Sequence, residues 1–297
     1  MEKSIHDDCL SVLKALACET RLSILKLLTQ ESLNQQELAS RLGISPAIMS
    51  QHIKKLCDAD LIYTEGGESG KGRQKICYIA QSEFSLKINS ESDEKVTKYM
   101  LPIGLYSRHN VEPSCGLAAA DRVVGTFDDP MAFLDPFRTQ AELLWFSSGY
   151  VEYVVPLKTS RFELSKISIT FEAGSEYPGC RSDWPSEIFF TVNRTQVGSW
   201  VCPGNYGDRR GRFTPRWWPP GYSQYGVIKT LSIDESGTYI DDEKISDEVL
   251  SSLDLSGSRF YIRFSTKKNS RDSGGLTLFG KSFGDSNSDI IVTTYYK

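Results

Sequence analysis

The sequence predicts an α+β protein of two domains, a small helical domain followed by a larger antiparallel β-sandwich. Two observations predict this organisation. Apolar residues recur at helical spacing in the first part of the chain, whereas beyond residue 145 they alternate with polar ones, as in half-buried strands. The length of 297 residues also suits two domains better than one.

Composition and charge limit the classes of function. The net charge is −4, so any binding to nucleic acid must come from a local basic patch. We see no signal peptide and no run of 18 apolar residues, which predicts a cytoplasmic protein without a membrane partner. The seven cysteines include no C-x-x-C pair, so we expect buried reduced thiols rather than a zinc or redox motif.

Three helical patterns open the chain. The first two, "CLSVLKALAC" and "ETRLSILKLLTQ", each place a row of apolar residues on one face. These rows are Leu10, Leu13, Leu16 and Ala17 in the first, and Leu22, Leu25 and Leu28 in the second. The third helix begins near Asn34, where Glu37 completes a capping box, and Gly43 ends it.

A fourth helix follows after the tripeptide "GIS". Ser45 is a good N-cap, and Pro46 suits the first helical position. Met49, Ile53 and Leu56 form its buried row. Because only "GIS" separates it from the third helix, the two form a helix-turn-helix. The next segment, "LIYTEGGESGKGRQKICYIA", reads as two strands around a basic glycine-rich tip, which makes the arrangement a winged helix-turn-helix.

The exposed part of the fourth helix has the chemistry to read DNA. Gln51 can pair bidentately with adenine, and Ile48 can contact a thymine methyl group. Lys54, Lys55 and the hydroxyls of Ser45 and Ser50 are suited to phosphate contacts that set the register. A solvated lysine-rich face is the simpler interpretation of such a helix taken alone, but not of the whole constellation.

These residues resemble the ArsR-type winged-helix transcriptional regulators. The resemblance covers about the first eighty residues and is carried by "LKALACETRLSILKLL", "QQELASRLGISPAIMSQHIKKLCDADLI" and the hairpin after them. It implies a bacterial dimer that binds double-stranded operator DNA, with a reading helix and a basic wing. The implied DNA contacts are Ser45, Pro46, Ala47, Ile48, Ser50, Gln51, Lys54, Lys55, Lys71, Arg73 and Lys75.

The chain departs from the metal sensors of that family. Their helix before the reading helix carries a Cys-x-Cys or His/Asp cluster, whereas this one reads "QQELASRL". We therefore expect neither a metal nor a cofactor, although a metal- or thiol-responsive repressor with a purely structural sandwich remains an alternative. His52 is interpreted as a packing or phosphate-contacting residue, and "GESGKGR" as a wing tip because it lacks the Ser or Thr of a P-loop.

The domain boundaries follow from a polar segment after the hairpin. We predict a DNA-binding domain over residues 1–81, a linker over 82–95 and a β-sandwich for ligand binding or dimerisation over 96–297. A short helix is expected around Pro136 to Leu144, with a strand beginning near Trp145. "ISITFEAG", "EIFFTVN", "RFYIRFST" and "DIIVTTYYK" then read as strands of a jelly-roll-like sandwich.

Catalysis is not expected in the sandwich. The only histidines are His6, His52 and His109, so a Ser-His-Asp triad or a histidine metal site beyond residue 109 is excluded. Carboxylates such as Glu172, Asp183, Glu187 and Asp208 leave a carbohydrate-active enzyme as a second alternative. We predict no catalytic residue.

One long loop, from Gly198 to Gly226, concentrates aromatic and arginine side chains. Aromatic faces stack on sugar rings, and arginine forks bind hydroxyls, carboxylates or phosphates. The predicted ligand contacts are Trp184, Trp200, Asn205, Tyr206, Arg209, Arg210, Arg212, Trp217, Trp218 and Tyr222. The alternatives are that these side chains only pack the loop, or that they contact a nucleic acid or a protein.

The sequence therefore predicts a one-component transcriptional regulator. A homodimer would bind an operator through its winged helices, and a sugar or sugar acid in the sandwich would modulate that binding.

Overall fold

The computed structural model describes residues 2–4, 10–66, 75–80, 85–87, 95–157, 163–268 and 272–297. The chain divides into two compact units, residues 1–92 and residues 93–297. No helix in these described ranges has the length and apolar character needed to cross a membrane.

The first unit contains four α-helices and five short strands among the described residues. The helices are α1 (Leu10–Leu16), α2 (Glu19–Leu28), α3 (Gln35–Leu42) and α4 (Pro46–Asp58). The strands are β1 (Glu2–Ser4), β2 (Leu33–Asn34), β3 (Ile62–Gly66), β4 (Lys75–Ile79) and β5 (Ser85–Lys87). Strands β2, β4 and β3 form one antiparallel sheet, and β1 pairs in parallel with β5, which falls within the predicted linker.

The predicted winged helix-turn-helix is confirmed, but the buried rows predicted for α1 and α2 are right only in part, with Leu28 buried as expected. Leu10, Leu13 and Leu22 are exposed, whereas Val12 and Ile24 have no exposed surface. Both rows were offset because a helix as short as α1 has two apolar faces of similar strength, and the sequence alone does not say which faces the core. The same core also includes Ala15, Leu28, Leu33, Leu38, Ala39, Met49, Ile53, Leu56, Ala59, Leu61, Ile62 and Cys77.

The second unit is built of strands and three short 3-10 helices. The strands are β6 (Lys95–Leu101), β7 (Arg108–Ala119), β8 (Val123–Val124), β9 (Ala141–Pro156), β10 (Leu164–Gly174), β11 (Ser186–Val192), β12 (Thr195–Cys202), β13 (Val227–Asp234), β14 (Gly237–Ile240), β15 (Glu243–Ser246), β16 (Arg259–Thr266), β17 (Leu276–Phe279) and β18 (Ile290–Tyr296). The 3-10 helices are Pro130–Leu134, Pro136–Gln140 and Leu250–Ser252.

These strands form a nearly closed antiparallel sandwich, which confirms the predicted fold class. One layer runs β12-β11-β16-β9-β7-β8, and the other runs β6-β18-β10-β13-β14-β15. Strand β17 pairs with both β9 and β10, so it joins the two layers. The inward residues of each strand fill one core, as the alternation of Ile167, Ile169 and Phe171 predicts.

The helix expected around Pro136 to Leu144 begins at Pro136 as predicted, but it is a 3-10 helix and ends at Gln140. A second 3-10 helix, Pro130–Leu134, precedes it, and each of the two is started by a proline and capped by an aspartate, Asp129 or Asp135. Strand β9 then begins at Ala141 rather than near Trp145. Ala141, Leu143 and Leu144 pair with β7, so the sheet takes up the second half of the predicted helix.

Candidate nucleic-acid interface and sandwich loop

The turn between α3 and α4 is fixed by local hydrogen bonds. The Asn34 side chain accepts from the backbone of Gln36 and Glu37, and Glu37 accepts in return from Asn34 N at 2.8 Å. Gly43 ends α3 with a φ of 64°. The Ser45 hydroxyl accepts from Ile48 N, and Pro46 begins α4. The predicted caps are thus confirmed, and they set the angle at which α4 leaves the turn.

One face of α4 is buried and the other is open. Met49 and Leu56 are fully buried and Ile53 nearly so, which confirms the predicted row. The side chains proposed to contact DNA lie on the opposite side and are all exposed. They are Ser45, Pro46, Ala47, Ile48, Ser50, Gln51, Lys54 and Lys55. Met49, Ile53 and Leu56 hold α4 against the core, so the polar side chains of α4 project from a rigid element.

The wing is described only in its strands. Lys75 begins β4 and is exposed, and the rings of Tyr63 and Tyr78 stack at 5.2 Å between the centroids across β3 and β4. Lys71 and Arg73, the other two predicted wing contacts, lie outside the described residues.

Two basic side chains of the first unit, Arg21 and His52, are at least partly buried. Arg21 is buried, and it donates to the carbonyls of Ala15 and Lys14 at 2.5 and 2.6 Å, which caps the end of α1. His52 is half-buried, and burial, followed by the charges of Arg21 and Lys55, lowers its pKa. A neutral His52 fits the packing interpretation better than a cationic phosphate contact.

The side chains of Arg209 and Arg210 in the sandwich loop are held by other groups of the protein. Arg209 forms a two-pronged ion pair with Asp285, at 3.0 and 2.5 Å, and its guanidinium lies 3.8 Å from the centroid of Tyr225. Arg210 donates to the carbonyls of Pro215 and Trp218. The backbone N–H of Arg212 donates to the same Asp285 carboxylate. Sequence reasoning missed Asp285 because it lies 76 residues from Arg209.

Most of the predicted aromatic residues come together in this loop. Tyr206 stacks on Tyr225, and Trp218 is buried with Trp217 and Tyr222 against it. Asn205 is buried, where its amide nitrogen donates to Ser175 O and Ser223 Oγ.

The other two predicted tryptophans lie apart from that cluster. Trp184 packs against Tyr177 and Arg181, and the backbone of Arg181 pairs with that of Asn205. Trp200 packs against the main core, with the Lys229 ammonium 5.4 Å from its ring.

A buried carboxylate ties the loop to the last turn of the chain. Glu172 accepts from the backbone N–H groups of Gly226, Asp285 and Ser286 at 2.7 to 3.0 Å. Complete burial raises its pKa to about 7, and these N–H groups oppose that rise. Glu172 was considered in the sequence only as a possible catalytic carboxylate, and its contacts assign it a structural role.

No arrangement typical of a metal centre is found in the described ranges, where no three His, Cys, Asp or Glu side chains come together to hold an ion.

Comparison with known proteins identifies the first unit. The family model "Bacterial regulatory protein, arsR family" matches residues 18–64, from the start of α2 to the first wing strand. HlyU from Vibrio cholerae is 31% identical over 25% of this chain and 76% of its own, with a TM-score of 0.22. HlyU from Vibrio vulnificus is 28% identical over 25% and 73%, with a TM-score of 0.22. An ArsR family transcriptional regulator is 28% identical over 24% and 72%, with a TM-score of 0.21.

No curated protein matches the chain. The matched residues are those that form the helix-turn-helix described above, and the identity to HlyU extends over three quarters of that regulator. The chain belongs to the arsR family of bacterial regulatory proteins.

Proposed function

We propose that the protein is a cytoplasmic one-component transcriptional regulator that binds operator DNA as a symmetric dimer. Each protomer would place α4 in the major groove, and the two half-sites would lie on successive turns of the duplex. The β-sandwich would bind a small effector and act by binding rather than by catalysis.

The observation that carries this proposal is the division of α4 into two faces. An α-helix fits the major groove, and the first turns of α4 offer a side-chain amide, hydroxyls and an apolar group to base edges. Ile48 is 49% exposed although it is a large apolar residue in a well-packed helix. Exposure of that kind is expected of a residue that contacts a thymine methyl.

The lysines near the Gln51 side chain would supply the contacts to the DNA backbone. Lys54 and Lys55 are one and a half turns or less from Gln51, and both are exposed. They and Lys75 would contact phosphates, which fixes the register and makes affinity fall as salt rises. The overall charge of −4 means that these local cations must act against a weakly repulsive background.

Effector control follows from the presence of a second unit with its own core. An effector can regulate only if it binds more tightly to one arrangement of the two reading helices than to the other. A change of spacing between the two helices would weaken both half-site contacts at once.

Binding by single variants of the full chain tests the assigned roles. Gln51→Ala and Ile48→Ala should each reduce affinity for the selected operator by about 1–3 kcal/mol and leave random duplex unaffected. Lys54→Ala should weaken both and reduce the slope of log affinity against log salt by about one. Equal losses on both kinds of DNA from all three variants would contradict the assignment.

Lys26→Ala provides the matched control. Lys26 is exposed on α2, outside the proposed interface, so its removal should change neither the affinity nor the salt slope.

A further inference from the structure

Three exposed aromatic rings surround one buried indole in the sandwich loop. Trp218 is 2% exposed, and the centroids of Trp217, Tyr222 and Phe127 lie 5.6, 5.8 and 6.4 Å from its ring. Those three rings are 37%, 44% and 45% exposed. We call these four residues the aromatic platform. Phe127 comes from the turn before the first 3-10 helix, so two distant segments build it.

The platform is held by hydrogen bonds on its inner side. Trp217 Nε1 donates to Ala120 O at 2.6 Å, and Trp218 Nε1 donates to Ser223 O at 3.0 Å. Arg210 donates to Trp218 O. The polar edges of both indoles are therefore used, and what remains outward is the apolar ring surface. Rigid aromatic surface of this kind binds at a low cost in conformational entropy.

Two buried amide oxygens lie behind the platform with no hydrogen-bond partner among the residues that the structure describes. They are Gln224 Oε1 and Asn205 Oδ1, and both residues are 1% exposed. The amide orientations are set by their nitrogens, since Gln224 Nε2 donates to Pro219 O at 2.8 Å and Asn205 Nδ2 donates to Ser175 O. Both oxygens are hydrogen-bond acceptors, so a ligand that reaches either of them must offer a hydrogen-bond donor.

Gln224 is covered by a short exposed turn. Residues 219–222 are all exposed. Gly221 in the turn has a φ of 87°, and a Cβ at this position would have no contact within 4 Å. The bond from Gln224 to Pro219 O places the amide directly beneath this turn. Outward movement of the turn would open access to Gln224 Oε1. A ligand resting on the aromatic rings would then be able to donate a hydroxyl to that oxygen.

Two of the loop's four arginines, Arg209 and Arg210, are engaged within the protein. Arg209 is neutralised by Asp285, and Arg210 is engaged by two carbonyls, so neither guanidinium is left for a carboxylate. The orphaned amide oxygens would repel a carboxylate as well. Arg216 is exposed beside Trp217 and is the reason for including acidic sugars in the test below.

From these observations we propose that the aromatic platform binds a neutral saccharide. The C–H face of a sugar ring would stack on Trp217 and Tyr222, and a hydroxyl would donate to Gln224 Oε1. This inference rests on the proposed effector role of the sandwich, and it decides between the sugar and the sugar acid that the sequence left open.

Titration of the full chain followed by tryptophan fluorescence tests the inference. The probes are the neutral sugars glucose, galactose, xylose, rhamnose and cellobiose, and the acids glucuronate and galacturonate. At least one neutral sugar should change the emission saturably and bind more tightly than either acid. Trp217→Ala, Tyr222→Ala and Gln224→Met should each weaken that sugar roughly tenfold by calorimetry.

Phe137→Ala is the matched control, because Phe137 is an aromatic residue that is 56% exposed outside the platform. The Phe137→Ala protein should bind the neutral sugar with the affinity of the wild type. Saturable binding of neither class, tighter binding of an acid, or neutral-sugar binding that Trp217→Ala and Tyr222→Ala leave unchanged would overturn the inference. Operator binding is measured without sugar, so its loss would count against the proposed function alone.

Discussion

At the scale of single residues, the sandwich contains carboxyl groups whose burial disfavours the ionised form and raises the pKa. Glu176 is 7% exposed, and desolvation raises its pKa to about 8, although the Ser114 hydroxyl donates to it at 2.7 Å. In the unfolded chain the same group has a pKa near 4.5. The folded state therefore holds a proton that the unfolded state releases, and stability is lost as the pH rises through about 8.

This difference predicts the pH response of the protein. The wild type should unfold at a lower temperature at pH 9 than at pH 6, because Glu172, with a pKa of about 7, acts in the same direction. Glu176→Gln keeps an acceptor for Ser114 and removes the charge. We expect it to stabilise the protein at both pH values, and by about 1–3 kcal/mol more at pH 9 than at pH 6, because the wild type continues to lose stability between them.

Calorimetric unfolding of both proteins at the two pH values measures this effect. Glu187→Gln is the control, since Glu187 is half-buried and accepts from Ser199. A Glu176→Gln protein whose stability changes with pH as steeply as the wild type would show that Glu176 is not the titrating group.

At the scale of elements, the turn between α3 and α4 depends on one backbone conformation. Gly43 has a φ of 64°, and a Cβ there would meet nothing within 4 Å. The cost of Gly43→Ala is therefore conformational alone, about 1 kcal/mol. Gly66→Ala is the matched control, because a Cβ there also meets nothing and no positive φ is required.

Chemical unfolding followed at 222 nm should report this loss, since all the described α-helices lie in the first unit. Equal stabilities for the two alanine variants would contradict the role given to Gly43.

A second element-scale prediction concerns the anchor of the sandwich loop. Glu172→Gln places an amide nitrogen against backbone N–H groups that now donate to a carboxylate, which leaves at least one of them without an acceptor. We expect a cost of about 1–3 kcal/mol. Hydrogen exchange should quicken at residues 224–228 and 284–288 and stay constant in β11. Uniform exchange across the sandwich would instead indicate global destabilisation.

The elements that the sequence predicted correctly are those specified by neighbouring residues. Asn34 with Glu37, and Ser45 with Pro46, define helix starts within four positions, and alternation along β10, β11 and β16 defines their inward faces. The contacts of the sandwich loop were harder to predict. Arg209 pairs with Asp285, and Phe127, from a distant segment, completes the aromatic platform. Such long-range partners leave no local pattern in a single sequence.

At the scale of the whole molecule, the two proposals are linked through one free energy of coupling. If a neutral sugar lowers operator affinity by some factor, saturating operator must lower sugar affinity by the same factor. Couplings of this kind commonly lie near 1–3 kcal/mol, or about five- to 150-fold. Paired titrations, of operator with and without sugar and of sugar with and without operator, measure both factors. A factor of one in both titrations would contradict the proposed coupling of sugar and operator binding.

The account depends most on α4 reading duplex DNA, and selection from a random duplex pool tests this directly. The full wild-type chain should enrich an inverted repeat with half-sites about 10 base pairs apart, and Gln51→Ala should lose the preference at one position in each half-site while keeping the spacing. Enrichment of no sequence, or of the same sequence by Gln51→Ala with undiminished preference, would contradict the claim that α4 reads the operator.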